Sequence, residues 1–272
     1  TVLKQLWSKA IFFNFDQQLL RLRRIILPGL YIAVSLLCIQ MVLWVLVFPS
    51  SIFSGYTWHD EMTYFVEQRE NTGGGVPVNT NLKYAGHAAV KLTHILPSTI
   101  WSASIPFQLH PKFRRTYKAL HRLTGYAFFC TSFLLIIGIV LIDRRKLYWH
   151  LADYPSIPNY EHISRFQFIQ QSPQYIPEYA IYVLTIWFTF TAIAALAFAR
   201  GKNFAQHQNY VIRHVASGIW VAVQRVLLII LTPTFKSQVD AKEAFFDCSF
   251  YAVLICFSSA ELAIWALGIQ RP

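Results

Sequence analysis

The chain of 272 residues is 55% hydrophobic and 16% aromatic, with 14% charged residues and a mean hydropathy of +0.38. Soluble domains carry about 25% charged residues, so this composition excludes an ordinary soluble domain and points to the bilayer. A net charge of +11 would suggest nucleic acid in a soluble protein, but here the basic residues gather at helix ends, where membrane orientation and anionic lipid account for them.

Residues 1–24 mix aromatic and aliphatic side chains with Lys4, Lys9, Arg21, Arg23 and Arg24. That pattern fits a basic amphipathic segment on the membrane surface, or a basic tail anchoring the first span. The first apolar run begins near Ile25 and is too long for the core of a signal peptide. The chain opens on Thr1, and loss of an upstream segment, a transit peptide among the explanations, is expected.

About 20 apolar residues cross a bilayer, and six runs of that length follow: Ile25–Phe48, Tyr84–Leu109, Leu120–Ile142, Ile176–Ala199, Val211–Thr232 and Phe245–Ile269. The fold expected is an all-α membrane bundle of six spans in one domain, 25–272. Pro28 and Pro97 fall inside spans, where a proline frees a carbonyl and permits a kink.

Charge tests the count independently. With the N-terminus on the positive side, that side receives the N-terminal cluster, Lys112, Arg114, Arg115, Lys118, Arg122, Arg200, Lys202, Arg213 and Arg271, with Asp16 its only acid. The other side takes the remaining acids, among them Asp60, Glu61, Glu67, Glu70, Asp143 and Asp153, on two long loops, 49–83 and 143–175. This segregation predicts an even number of spans with both termini on the positive side. Loops so long are uncommon without a function or a partner.

Cys38, Cys130, Cys248 and Cys256 all lie in apolar helices without a CxxC pair, so neither a disulfide framework nor a thiol metal site is indicated. No HExxH, nucleophile elbow or GK[ST] after the glycines 73–75 occurs, and no catalytic residue is assigned.

The histidines are more informative. His59, His150 and His162 fall in loops and His110 in the basic turn. His87, Lys91 and His94 share one face of the second span at i, i+4 and i+7. His207 and His214 share a face of the fifth, and His121 stands where the third leaves the basic turn. Ionisable groups inside a membrane point to function by default; Lys91, Arg225 and Glu261 extend the set, with Glu261 as a counter-charge. Facing imidazoles with nearby cations are the usual setting of a membrane b-type haem. Two cross-helix pairs are conceivable, His94 with His214 and His121 with His207. On this reading His94, His121, His207, His214, Arg213 and Arg225 bind the cofactor; no other metal is expected.

The stretch His94–Gly125 contains Pro106-Phe107-Gln108-Leu109, the cations Lys112 to Arg115, and His121-Arg122-Leu123-Thr124-Gly125-Tyr126. It resembles the H…PFQF…HRxxGR block of an uncharacterised family of multi-pass membrane proteins. A second block of that family, HRxWMxR with a distal arginine, is similar to His207–Arg213 and Arg225, with Gln208, Tyr210 and Val211 as departures. The resemblance covers about residues 84–230, implies the multi-pass layout, singles out His94, His121, His207, Arg213 and Arg225, and supplies no activity.

Three functional readings follow. The first is a haem b-binding or redox-related membrane protein. The second is a non-catalytic accessory or scaffolding subunit of a larger membrane complex, with bound lipid and other membrane subunits as partners. The third is a small-solute or proton carrier using Lys91 and Glu261. The mitochondrial inner membrane and the bacterial plasma membrane both suit the charge bias.

Overall fold

The computed structural model describes residues 2–47, 86–147, 176–231 and 238–268, and side chains within 21–46, 86–147, 179–231, 244–245 and 247–268. Every element among the described residues is helical, as expected of a chain whose backbone must satisfy itself without water. In order these are α1 (Val2–Val47), α2 (Ala88–Val90), a π-helical turn (Lys91–Ile95), α3 (Leu96–Leu109), α4 (Pro111–Thr116), α5 (Lys118–Arg144), α6 (Ile176–Arg200), α7 (Phe204–Leu231) and α8 (Gln238–Gly268). The loop expected at 49–83 lies outside the described residues, as does 148–175 of the second.

Five segments are long and apolar enough to cross a membrane: Arg21–Leu46, Lys118–Arg144, Tyr179–Arg200, Phe204–Leu231 and Asp247–Gly268. They correspond to five of the six expected spans. The run Tyr84–Leu109 is not among them. Its described part is helical from Ala88 to Leu109 but changes winding midway. Pro97 has no N–H for the carbonyl of Thr93, and its ring would press on that carbonyl in a regular α-helix. The chain answers with a wider turn, in which the Leu96 N–H donates to the Lys91 carbonyl five residues back. Hydroxyls bond nearby carbonyls: Thr93 Oγ1 donates to Ala89 O at 2.7 Å and Ser98 Oγ to Ile95 O at 2.6 Å. Lys91 and His94 both lie in this turn.

α1 is 46 residues long, roughly 70 Å at ~1.5 Å per residue. A hydrocarbon core is only about 30 Å thick. The backbone continues as helix across Arg21–Arg24 into the apolar segment, without a break at the boundary that composition suggests near residue 24.

α7 is the central helix. It packs against α6, α8 and α1, while α5 packs against α3 and the π turn, and α3 against α1. The core between them is built from Trp101 and Ile105 of α3, Phe128, Phe129 and Leu135 of α5, Phe188, Ala192 and Ala195 of α6, and Val211, Val215, Ile219 and Ala222 of α7. Small residues set the spacing. A Cβ on Gly218 would lie 2.6 Å from the Trp101 ring, and one on Gly138 would lie 2.5 Å from His94 Cβ and 2.9 Å from its Cα. At Gly218 the glycine admits an aromatic ring; at Gly138 it lets two backbones touch.

The outward faces are apolar. Ile32, Leu36, Ile39 and Leu43 of α1, and Tyr179, Val183, Ile186, Phe190 and Ile193 of α6, recur at three- and four-residue spacing and are exposed. A soluble protein rarely presents such continuous apolar stripes; hydrocarbon as the surrounding solvent explains them.

Gly138→Ala is expected to destabilise the bundle by about 1–3 kcal/mol, because the new methyl meets backbone rather than a movable side-chain tip. Gly29→Ala, with nothing within 4 Å of its added Cβ, is expected to be neutral or stabilising. Thermal midpoints of the purified variants check both; equal midpoints would reject the close contact at His94.

Candidate functional site

The structure separates the histidines into two groups with different surroundings. The first centres on His214, fully buried on α7 about 15 Å along the helix from Phe204 at ~1.5 Å per residue. Its Nδ1 lies 3.0 Å from the Phe188 carbonyl and its Nε2 lies 2.9 Å from Ser132 Oγ. A carbonyl only accepts, so Nδ1 carries the proton and Nε2 faces the Ser132 hydroxyl, whose one hydrogen is shared between Nε2 and the Phe128 carbonyl at 2.8 Å. Thr191 Oγ1 stands 3.2 Å from Nδ1. A neutral imidazole therefore ties α7 to α5 and α6, and the rings of Trp101, Phe128, Phe129 and Phe188 enclose it, Phe188 with its centroid at 4.1 Å.

His94 does not face His214 across an open space. Its Nδ1 approaches the Leu135 carbonyl at 3.5 Å, one turn of α5 beyond Ser132, and its backbone rests on Gly138. Arg213 forms a two-point ion pair with Glu261 of α8, Nε to Oε1 at 2.6 Å and Nη2 to Oε2 at 2.8 Å, with its guanidinium 5.5 Å from the Tyr210 ring centre. Glu261 is thus the counter-charge of Arg213. Arg225 donates to Gln224 Oε1 at 2.7 Å and lies between the rings of Trp44 and Phe245. Gln224 in turn donates to the Phe245 carbonyl and to Ser249 Oγ. His87 Nδ1 accepts from Arg145 at 3.2 Å. Lys91 is buried, and its side chain has no hydrogen-bond or ion-pair partner among the described residues. The set Lys91, His94, Arg225 and Glu261 is therefore dispersed over separate contacts and does not share one.

The second group lies where α3, α4, α5 and α7 meet. Here the PFQL and HRLTG segments prove to be two halves of one clasp. Gln108 Nε2 donates to the His121 carbonyl at 3.0 Å and to Thr124 Oγ1 at 2.6 Å, while Thr124 Oγ1 donates to Leu120 O at 2.9 Å. A Cβ on Gly125 would already touch Gln108 Oε1 at 3.4 Å, so the glycine leaves room for the carboxamide. Pro106 offers its carbonyl to the Tyr31 hydroxyl at 3.3 Å, which brings α1 to the same end. His110 Nδ1 caps α4 by accepting from the Phe113 N–H at 3.1 Å, and its ring packs edge-on to Tyr31.

Beside this clasp is a half-open cleft lined by Gln108, Leu109, Arg114, His121, His207, Gln208 and Val211. His207 Nδ1 lies 2.8 Å from the Ala195 carbonyl and so carries the proton, leaving Nε2 as an acceptor. His121 Nδ1 is buried without a partner. Of the two histidine pairs expected from sequence, the structure brings His121 and His207 to one cavity.

Neither pair, as arranged, fits a haem. Both nitrogens of His214 are engaged and rings close on it from several sides, while the cleft at His121 and His207 has a volume of about 30 Å³, against about 300–1,000 Å³ for small-molecule pockets. Among the described residues no group of three or more His, Cys, Asp or Glu side chains is placed to hold a metal ion, and all four cysteines are free.

Sequence reasoning missed Ser132 and Thr191 as partners of His214, and Gln108 as the residue that fixes the His121 turn. The signal for Gln108 was present, a carboxamide ending an apolar run. Serine and threonine are too common in membrane helices to single out. Compared with known proteins, the chain matches no family model, no curated protein and no solved structure.

His214→Leu is expected to lower stability by about 1–3 kcal/mol, the sum of two interhelical hydrogen bonds in an apolar interior. Gln108→Leu should cost about 1–2 kcal/mol through the His121 carbonyl and Thr124. Thermal unfolding of each variant tests these values, and an unchanged midpoint for His214→Leu would remove it as a structural centre.

Proposed function

We propose that the protein is a six-span integral membrane protein, with both termini on the basic side, acting as a non-catalytic accessory or scaffolding subunit of a larger membrane assembly. The observation that carries this reading is the Arg213–Glu261 ion pair. Glu261 lies about 10 Å from the end of α8 at Gly268, counting ~1.5 Å per residue, yet its side chain is 57% exposed on the isolated bundle. Charged groups facing hydrocarbon are costly and normally meet protein, water or each other. A helix of another subunit, offering polar groups to this pair, relieves that exposure.

Two further features support it. The intramembrane polar groups His214, Gln224 and Arg225 serve helix-to-helix contacts, Arg225 through the rings of Trp44 and Phe245, which suits a structural role better than a solute path. The continuous helix from Ala88 to Leu109 is long enough to span, at about 33 Å, and supports the sixth crossing that the charge segregation calls for.

On native gels the protein in its own membrane extract is expected to run well above monomer or dimer mass, and Glu261→Gln should shift it toward the free form. Migration alone at monomer or dimer mass would sink the reading. A Soret band with a pyridine-haemochrome signal in the purified protein would support haem binding instead.

A further inference from the structure

The cleft at His121 and His207 has unsatisfied chemistry that the structural role does not use. Its lining brings a guanidinium, two imidazoles and two carboxamides together, with no carboxylate. His121 and His207 stand in the first turns of α5 and α7, two long helices whose N-terminal ends carry partial positive charge. Gln108 is committed to the clasp by both of its N–H groups, so the groups left for a ligand are Arg114, His121, His207 and Gln208.

Their hydrogen-bonding needs are mixed. Arg114 has no carboxylate partner among the described residues and only donates. His121 Nδ1 is buried without a partner. His207, with its proton held by the Ala195 carbonyl, presents Nε2 as a lone pair that requires a donor. A bare cation suits His207 but meets the Arg114 charge and lacks a third ligand. A carboxylate or a phosphodiester suits Arg114 but brings no proton to Nε2. A phosphomonoester has both parts, anionic oxygens and, in the monoanion that coexists with the dianion around its second ionisation at about pH 6, one P–OH.

We propose that this cleft binds a phosphomonoester, with its anionic oxygens on Arg114 and its hydroxyl donating to His207 Nε2, the His121 ring forming part of the wall. The cleft is open toward the exposed Arg114, so such a head would sit at its mouth with the remainder of the ligand outside. A phosphatidic-acid headgroup and a soluble phosphate present the same chemistry. The lipid source rests on the basic end lying at the headgroups, as proposed above; the soluble source does not.

The test uses the delipidated full chain in detergent, titrated with short-chain phosphatidic acid, short-chain phosphatidylglycerol and inorganic phosphate, with binding read by calorimetry and native mass spectrometry. Phosphatidic acid is expected to bind at least about tenfold tighter than phosphatidylglycerol. Arg114→Gln and His207→Asn should each weaken it by about 10-fold or more, the loss of one hydrogen bond to a charged group. Asn at 207 retains a donor for the Ala195 carbonyl while removing Nε2. Should His207→Asn fail to fold, Arg114→Gln, an exposed site, decides alone. Competition by inorganic phosphate would assign a soluble ligand, and its absence a lipid; either upholds the phosphomonoester. Equal binding of phosphatidylglycerol, no binding of any probe, or full affinity in folded Arg114→Gln would overturn it. Because this experiment is done in detergent on the isolated chain, its failure leaves the native-gel result standing, and the reverse holds too.

Discussion

The imidazole of His214 is the interaction on which the packing of this bundle depends. In a membrane the hydrophobic effect does not press helices together, since lipid tails are as apolar as the side chains they would replace. Position and rotation must come from shape and from polar contacts. His214 supplies both at one point. Its two nitrogens reach opposite ways, to Ser132 of α5 and to the Phe188 carbonyl of α6. The aromatic rings around it exclude competitors, and Gly218, one turn further along α7, admits Trp101 to complete that enclosure.

The same residue type does different work a short distance away. His207 precedes His214 by seven residues on α7, yet only one of its nitrogens is engaged, and it borders a cavity with Arg114 and His121. The contrast follows from position along the helix. His214 sits where four helices converge and every direction holds a side chain. His207 sits in the first turn, where the chain enters from a short connection and a cleft opens beside it. A histidine with both nitrogens satisfied is a brace; one with an unsatisfied nitrogen beside a cation has capacity left for a ligand.

Pro97 links local backbone chemistry to this arrangement. Its missing N–H is absorbed by a π turn rather than by a broken helix, and the turn carries Lys91 and His94 against α5. Gly138 makes that approach feasible, because any side chain there would strike the backbone of His94. The run from Ala88 to Leu109 thereby keeps a helix-length reach while losing the uniform winding of the other apolar segments. Its lower end then delivers Gln108 to the His121 turn, so the proline, the glycine and the carboxamide act in series on one face of α5.

The amino-acid sequence by itself determined the helical class, the apolar segments and the concentration of basic residues at the turn after Leu109, because length, hydropathy and charge are local properties that a bilayer reads directly. It also marked Gln108, His121 and Gly125 as a block. Only the tertiary structure decided what the block does: Gln108 and His121 are thirteen residues apart and meet through a hydrogen bond that no periodicity encodes. It likewise decided which histidines share a cavity. His94 and His214 were equally eligible partners while only their spacing was known. α5 gives each a different contact, the Leu135 carbonyl for His94 and Ser132 for His214. Pairing across helices depends on rotation and tilt, which are set by the fit of Gly138, Gly218 and the aromatic rings rather than by the order of residues along any one segment.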